Sequence, residues 1–406
     1  MSLNGWLRRG LFGYVFVITA SLGLAYQTMS NHSYVRNSNF AGNYAMEIGG
    51  QLNSRLLHSN NSASIRLEDS LFLDIDLYHT NSGAMKYGVR ISPSLNDYFG
   101  NDLAYYLFIS GHWGKIEIGA AADATENLKI GAAPLSVSSM VVGSSLARHL
   151  KFFPGSGNII FEPSTSMNQN LDFTRGESLK KSWNHTKYLN KISYYSPELF
   201  GFQLGLSLIP NIILADKDLD LVDGGEKFNF GYATSVALNY IETIMDVSVA
   251  ASVVFEGNFK NPFWKIPLSG GKITEEHSLA AKFTSYGFGL SVSYFGITVA
   301  SSLGYGNKTL DDNLATKTNS EKKLNGRYIT GGIGYEISSF TIGIVYFNSR
   351  YGDNILETMD YGVKKTIAKN LSTYAEFIDY RYRIQKSGTR ESWRELAAVI
   401  GLIINF

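Results

Sequence analysis

The chain has 406 residues, 40 of them glycine, with 13% aromatic and only 17% charged side chains, against the roughly 25% charged usual in soluble globular chains. Its formal net charge of +1 excludes nucleic-acid binding by bulk electrostatics, and the absence of cysteine excludes both a disulfide frame and a thiolate metal site. Low charge with abundant Tyr and Gly suits a chain whose outer surface meets lipid.

In chain order, Arg8-Arg9 precede an apolar run from Leu11 to Leu24, with small residues at Gly23 and Ala25. The run is too short for the roughly 20 apolar residues of a transmembrane helix. Residues 1–25 therefore read as a cleaved signal peptide, followed by a short segment, 26–42, and export across the inner membrane is expected.

Period-two alternation follows repeatedly. In Ile65–Leu77 the odd positions are apolar except Asp69, and most even ones are polar. Phe202–Leu208, Phe228–Tyr240 and Asp246–Val253 repeat the pattern, with Gly, Ser, Ala and Asn on the second face. A soluble sheet would place Lys, Glu and Thr there. Small and polar inside with apolar outside is the pattern of an antiparallel up-and-down transmembrane β-barrel.

Expected strands are 43–57, 63–78, 84–92, 103–111, 115–121, 187–196, 202–210, 228–241, 244–257, 277–295, 297–308, 326–337, 340–352, 354–367, 371–384 and 393–406. That makes about 16 strands, the even number of a bacterial barrel. Short turns at 81–83, 196–198, 338–339 and 369–370 alternate with long polar loops at 211–227, 258–276 and 309–325. Within 277–295 the apolar parity slips between Phe283 and Tyr286, which implies a bulge or a hidden turn.

The stretch Gly111–Gly131 differs from the hairpins around it. Lys115-Ile116-Glu117-Ile118 alternates, alternation stops after Ala121, and no strand returns until about Lys187. A connection of that length is usually functional. The loop, 122–186, is expected to fold into the lumen and set its bore, inside a barrel formed by 43–406.

Other chemistry is thin. The histidines (His32, His58, His79, His112, His149, His185, His277) have no metal-ligand spacing, and no nucleophile elbow or phosphate loop occurs. Asp216–Asp220 with Asp223 and Glu226 echoes a calcium loop, but Leu221 and Lys227 stand where Gly and Glu are needed. No cofactor, metal or catalytic residue is expected, and the chain is read as a non-enzyme.

Four stretches together resemble the Gram-negative porin family. They are Trp113–Ala132 (the strand entering the inward loop), Lys191–Leu208 (the next hairpin), Met359–Phe377 (the penultimate short hairpin) and the final strand ending on Phe406. The resemblance implies an outer-membrane channel for passive diffusion of ions and small hydrophilic solutes. It also implies a homotrimer embedded in outer-membrane lipid and lipopolysaccharide, and recruitment of the barrel assembly machinery by Phe406. Members set acidic loop residues against basic wall residues; here these are Asp123 and Glu126 against Arg55, Arg66, Lys86 and Arg90, which parity places on the inner wall. Lys129 lies close by. The Pro-Glu-Phe signature of enterobacterial members is absent from the loop. Alternatives are a substrate-selective channel, with Tyr380, Arg381, Tyr382 and Arg383 as a guiding track, and a surface adhesin anchored by its barrel.

Overall fold

The computed structural model describes residues 44–60, 65–96, 102–137, 190–210, 213–215, 227–229, 232–259, 281–310, 322–351, 354–386 and 389–406. The expected signal peptide, the segment 26–42, the acidic stretch 216–226 and the loop beyond Val137 lie outside the described residues.

The strands are β1 (Tyr44–Ser59), β2 (Arg66–Thr80), β3 (Lys86–Asn96), β4 (Asp102–Gly111), β5 (Gly114–Ala120), β6 (Asn190–Tyr195) and β7 (Phe202–Ile209). A small hairpin, β8 (Ile213–Ala215) with β9 (Lys227–Asn229), rises from the connection that follows. Next come β10 (Tyr232–Ile244), β11 (Val247–Phe259), β12 (Ala281–Tyr294), β13 (Ile297–Leu310), β14 (Lys322–Ile337), β15 (Phe340–Tyr351), β16 (Asn354–Ala368), β17 (Leu371–Lys386) and β18 (Thr389–Asn405). All but β8 and β9 form one closed barrel in sequence order, every neighbour antiparallel, with β18 pairing both β17 and β1. Closure is what a bilayer demands, because an unpaired strand edge there has no water to bond.

All sixteen expected strands are found. Among the described residues the suspected irregularity in 277–295 is absent: β12 runs in continuous register with β13 through residues 283–286 and with β11 through 284–286. The slip lies in composition, not in pairing. The bulge occurs instead in β16, between Thr366 and Ala368.

Tight turns close one end of the barrel, while the other end carries the long connections β5–β6, β7–β10, β11–β12 and β13–β14 together with short ones. Several tight turns place non-glycine residues at positive φ, including Phe200 (53°) before Gly201 (78°) and Phe295 (46°) before Gly296 (79°). Two successive positive-φ residues make the two-residue turn whose twist matches the flanking strands.

Side-chain parity follows the sequence reading on the outer face. Leu204, Leu206 and Leu208 are exposed, as are Leu238, Phe288, Leu290, Ile333, Ile344, Phe377 and Ile400. On the inner face the match is partial. Ser193, Ser207, Ser252 and Ser302 are small and polar as expected, but Leu57, Val345, Phe347, Ile378, Ala397 and Val399 also point inward and are buried. The inner wall of β15–β18 and β1 therefore mixes buried apolar side chains with buried Arg55, Asp360, Glu376 and Glu395, and is not a uniformly wet surface.

Arginine at Leu206, near the middle of the outer belt, should cost about 2–4 kcal/mol of folding free energy in a bilayer. Arginine at Gly205 should do different damage. A Cβ there already meets Leu128 at 2.7 Å and Ala124 at 2.9 Å, so the larger side chain displaces a helix instead of entering open lumen. Unfolding free energies in lipid vesicles, together with channel conductance, separate the two effects; equal behaviour at both positions contradicts the parity.

Candidate pore constriction

The inward loop begins where β5 ends. After Ala121 and Ala122, Asp123 takes an extended backbone (φ −82°, ψ 177°) and caps a short helix, α1 (Ala124–Leu128), its Oδ1 accepting from Glu126 N–H at 3.0 Å. Asp before Ala-Thr-Glu is a favourable helix start, because the carboxylate satisfies an orphan N–H and faces the positive end of the helix. The Lys191 ammonium donates to the Ala121 carbonyl and ties the loop root to β6.

From there the chain follows the inside of the barrel from β6 round to β17. Ala124 and Leu128 pack with Tyr195 and Ala237, over Gly205. Ala124 N–H donates to Ser207 Oγ (2.8 Å), Asn127 Nδ2 to Tyr195 Oη (2.6 Å), and Ile130 N–H to Ser252 Oγ (2.8 Å). The Ile130 carbonyl lies against Gly289, and Gly131 against Ser302. The Lys129 ammonium sits over the Tyr328 ring at 4.9 Å, within cation–π range. A 3-10 turn, Ala133–Leu135, then places Leu135 on Gly332, Gly334 and Gly343, and Val137 on Gly362. Ser136 Oγ donates to Glu376 Oε1 on β17 at 3.2 Å.

At most crossings the wall offers glycine or serine. A Cβ at Gly289 would stand 1.9 Å from the Ile130 oxygen, and one at Gly343 would stand 2.0 Å from the Leu135 oxygen. These distances leave no room for any side chain. The inner-face glycines are thus a groove cut to the depth of a backbone, and the loop lies in it as a liner.

A further polar latch joins α1 to the wall. The single Thr125 hydroxyl lies 2.6 Å from Asp123 Oδ1 and 2.7 Å from Glu256 Oε1, and all three side chains are buried. One hydroxyl hydrogen cannot serve both carboxylates at once, so the Thr125 oxygen is a shared bridge between them. Thr125→Val should leave these acids unbridged and cost about 1–3 kcal/mol locally, seen as increased open-channel noise. Glu256→Gln, which retains a side chain able to bond Thr125, should stay as quiet as the unaltered channel.

The bore left by this liner is bounded on its other side by β1–β5. Lys86 lies over Tyr78 at 3.4 Å, and Lys115 stands beside Tyr106 (5.6 Å) and Phe108 (5.5 Å). Arg90 forms a two-pronged pair with Asp76, and Lys115 pairs with Glu117 at 2.5 Å. Depth is unequal within these pairs. The Arg90 and Lys115 side chains are 36% and 34% exposed, while Asp76 and Glu117 are 8% and 6% exposed. The bases reach into the lumen and the acids are sunk in the wall.

The residues singled out from sequence are distributed as follows. Lys86 and Arg90 lie on the lumen wall of β3. Glu126 is partly exposed on α1, whereas Asp123 is buried at 3% and spends its carboxylate on the helix cap and Thr125. Arg55 faces inward but is only 5% exposed, in the same strand as Asn53, which accepts from Tyr374 Oη at 3.0 Å. Arg66 opens β2 opposite Leu57. Phe406 closes the barrel seam, its N–H and carbonyl both bonded to Gly50 (3.0 and 2.8 Å). The guiding track does not assemble in the lumen, because Tyr380 points inward and is buried while Arg381 and Arg383 are exposed on the outer face. Lys115, Glu117 and Glu256 were not singled out. Alternation placed Lys115 and Glu117 on one face, and pairing partners across strands are not written in a single strand. Among the described residues no cluster of His, Asp or Glu is arranged to hold a metal ion.

A family profile described as Gram-negative porin matches residues 18–385. An uncharacterized protein of Rickettsia bellii is 21% identical over 313 residues, covering 68% of this chain and 69% of that protein. Among solved structures, the anion-selective porin of Comamonas acidovorans matches with a TM-score of 0.57 at 12% identity, covering 89% of this chain and all of that one. In-vitro-folded OmpT, an outer-membrane protein of Vibrio cholerae, matches with a TM-score of 0.51 at 13% identity, covering 91% of this chain and 99% of that one. At such identities the structural matches speak for the fold, a porin barrel whose first and last strands meet in one seam. With the profile spanning most of the sequence, this chain belongs to the Gram-negative porin family, as a diffusion channel of the outer membrane.

Proposed function

We propose that the channel passes small hydrophilic solutes without chemistry and favours anions over cations. The unequal depth of charge on the β2–β5 wall carries this reading. Arg90 and Lys115 stand in the lumen while Asp76 and Glu117 are withdrawn, so a permeating ion meets the bases first. On the liner opposite, Asp123 is buried and Glu126 is the acid that reaches the bore. In a narrow passage with low-dielectric walls, such groups act on an ion more strongly than on an open surface. The solved Comamonas relative is titled an anion-selective porin, which agrees with this direction.

The working form is a homotrimer in outer-membrane lipid and lipopolysaccharide; a trimer form of the Vibrio cholerae protein is among the similar structures. Residues 1–25 serve as the export signal, and β18 ending at Phe406 engages the barrel assembly machinery. Planar-bilayer recording of the refolded protein tests the channel reading: discrete conductance steps with a reversal potential on the anion side under a salt gradient are expected. Absence of steps rejects the channel, and a cation-side potential rejects the selectivity.

A further inference from the structure

The lumen bases of β3 and β5 stand on either side of a strip of aromatic rings on β4, although a passing ion needs only the bases. Cross-strand register fixes the layout. Ser110 of β4 lies between Lys86 and Lys115, Phe108 between Gly88 and Glu117, and Tyr106 between Arg90 and Gly119. Tyr106 thus has Arg90 on one flank, its guanidinium carbon 6.0 Å from the ring centre, and Lys115 on the other, its ammonium at 5.6 Å. Phe108 has Lys86 at 5.8 Å and Lys115 at 5.5 Å.

The two rings differ in access. Phe108 is buried between its lysines, whereas Tyr106 is partly exposed to the lumen. A Cβ at Gly119 would stand 2.5 Å from the Tyr105 carbonyl oxygen, and one at Gly88 would stand 2.1 Å from that of Leu77. Both positions therefore stay bare, and no side chain rises on the β5 flank of Tyr106. Its ring is a flat face open to the lumen with a base within reach on each side. The acids paired with these bases, Asp76 and Glu117, are buried. The exposed acids of this wall, Glu47 and Asp74, stand three and two strands away on β1 and β2, where they accept from Tyr78 Oη (2.6 Å) and Ser92 Oγ (2.5 Å). Lys115 needs only one of its three donors for Glu117.

We infer that this wall selects, among small anions, those that carry a flat ring: aryl carboxylates and related organic acids, with the ring stacked on Tyr106 and the carboxylate met by Lys115 or Arg90. The inference rests on the anion preference proposed above and adds a solute class to it. A carboxylate facing an ammonium or guanidinium gains a charge-assisted hydrogen bond. Offset stacking of the solute ring on Tyr106 adds a roughly three- to tenfold gain in affinity. An anion without a ring collects only the first contribution, and a neutral ring only the second. Rings that merely steadied the bases would confer no preference for a ring in the solute.

The test records the refolded full chain in planar bilayers. The reversal potential under a KCl gradient comes first and reads the anion preference by itself. Acetate, benzamide and benzoate are then titrated against the chloride current, supplying charge alone, a ring alone, and both. Benzoate should halve the current at a concentration roughly three- to tenfold below that of acetate, and below that of benzamide. Tyr106→Leu should bring benzoate level with acetate, while Tyr106→Phe, which keeps the ring, should retain the gap. Lys115→Gln with Glu117→Gln, which strands no carboxylate, should weaken benzoate and acetate alike. Tyr105→Leu, exposed on the lipid side of the same strand, should respond like the parent. Benzoate equal to acetate in the parent channel, beside an anion-side potential, overturns this inference alone. A cation-side potential overturns it together with the anion preference. Benzamide as effective as benzoate reduces the strip to an apolar surface and overturns it too, as does a Tyr106→Leu channel that still separates benzoate from acetate.

Discussion

Valine at Gly289 or at Gly343 should unseat the inward loop and raise both single-channel conductance and its noise. The Cβ positions at these sites fall 1.9 and 2.0 Å from loop carbonyl oxygens. Backbone cannot swing aside as a long side chain can, so the liner must lift or the strand must shift. Overpacking of this kind costs about 1–3 kcal/mol, comparable to the few hydrogen bonds that hold the loop there. The barrel ladder carries many more bonds than the loop, so the loop yields first. Gly331→Ala is the control, because a Cβ at Gly331 meets nothing within 4 Å. Unchanged conductance in both valine variants would show that the described part of the loop does not bound the bore.

The second large effect concerns charge. Neutralising Lys86, Arg90 and Lys115 together should move the reversal potential from the anion side to the cation side. The change exceeds simple loss of three charges, because Asp76 and Glu117 are then left without the bases that screen them. On the opposite face, Glu126→Gln should shift preference further toward anions. Asp123→Asn should shift it little, since Asp123 is buried as a helix cap and Asn fills that role nearly as well. Arg55→Gln should also act weakly through its burial. All shifts should shrink toward 1 M salt, where the Debye length is about 3 Å. If Asp123→Asn outweighs Glu126→Gln, the assignment of lumen-facing acids is wrong.

The wall was legible because one rule repeats in it. Alternation over Ile65–Leu77 or Phe202–Leu208 records which face meets lipid, and sixteen such records with tight turns between them leave one closed topology. The bore was less legible, for two physical reasons. Parity assigns a face but not a depth. It therefore ranked Asp123 with Glu126 and Arg55 with Arg90, although in each pair only the second reaches open lumen. The loop's path also depends on glycines that alternation records merely as small. Gly205, Gly289, Gly343 and Gly362 become a groove only once their strands stand in register, and their partners Leu128, Ile130, Leu135 and Val137 lie far away in sequence. The dense inner packing of β15–β18 escaped for the same reason, since Val345, Phe347 and Ile378 read as ordinary strand residues until their neighbours are known.

The seam between β1 and β18 has a kinetic consequence. Its ladder joins Gln51 to Asn405, and their side chains meet at 2.9 Å across a sequence separation of 354. Lengthening a chain adds little to the equilibrium cost of closing it, about 0.6 kcal/mol per doubling, but search time grows steeply with separation. Every other barrel pairing except β5–β6, β7–β10, β11–β12 and β13–β14 joins strands across only a short connection and can zip locally. Until β18 arrives, β1 and β17 each present a full row of unbonded amides and carbonyls that hydrocarbon cannot tolerate. Insertion must therefore either wait for the seam or proceed with both edges chaperoned, so the last ladder to form sets the pace for the entire molecule.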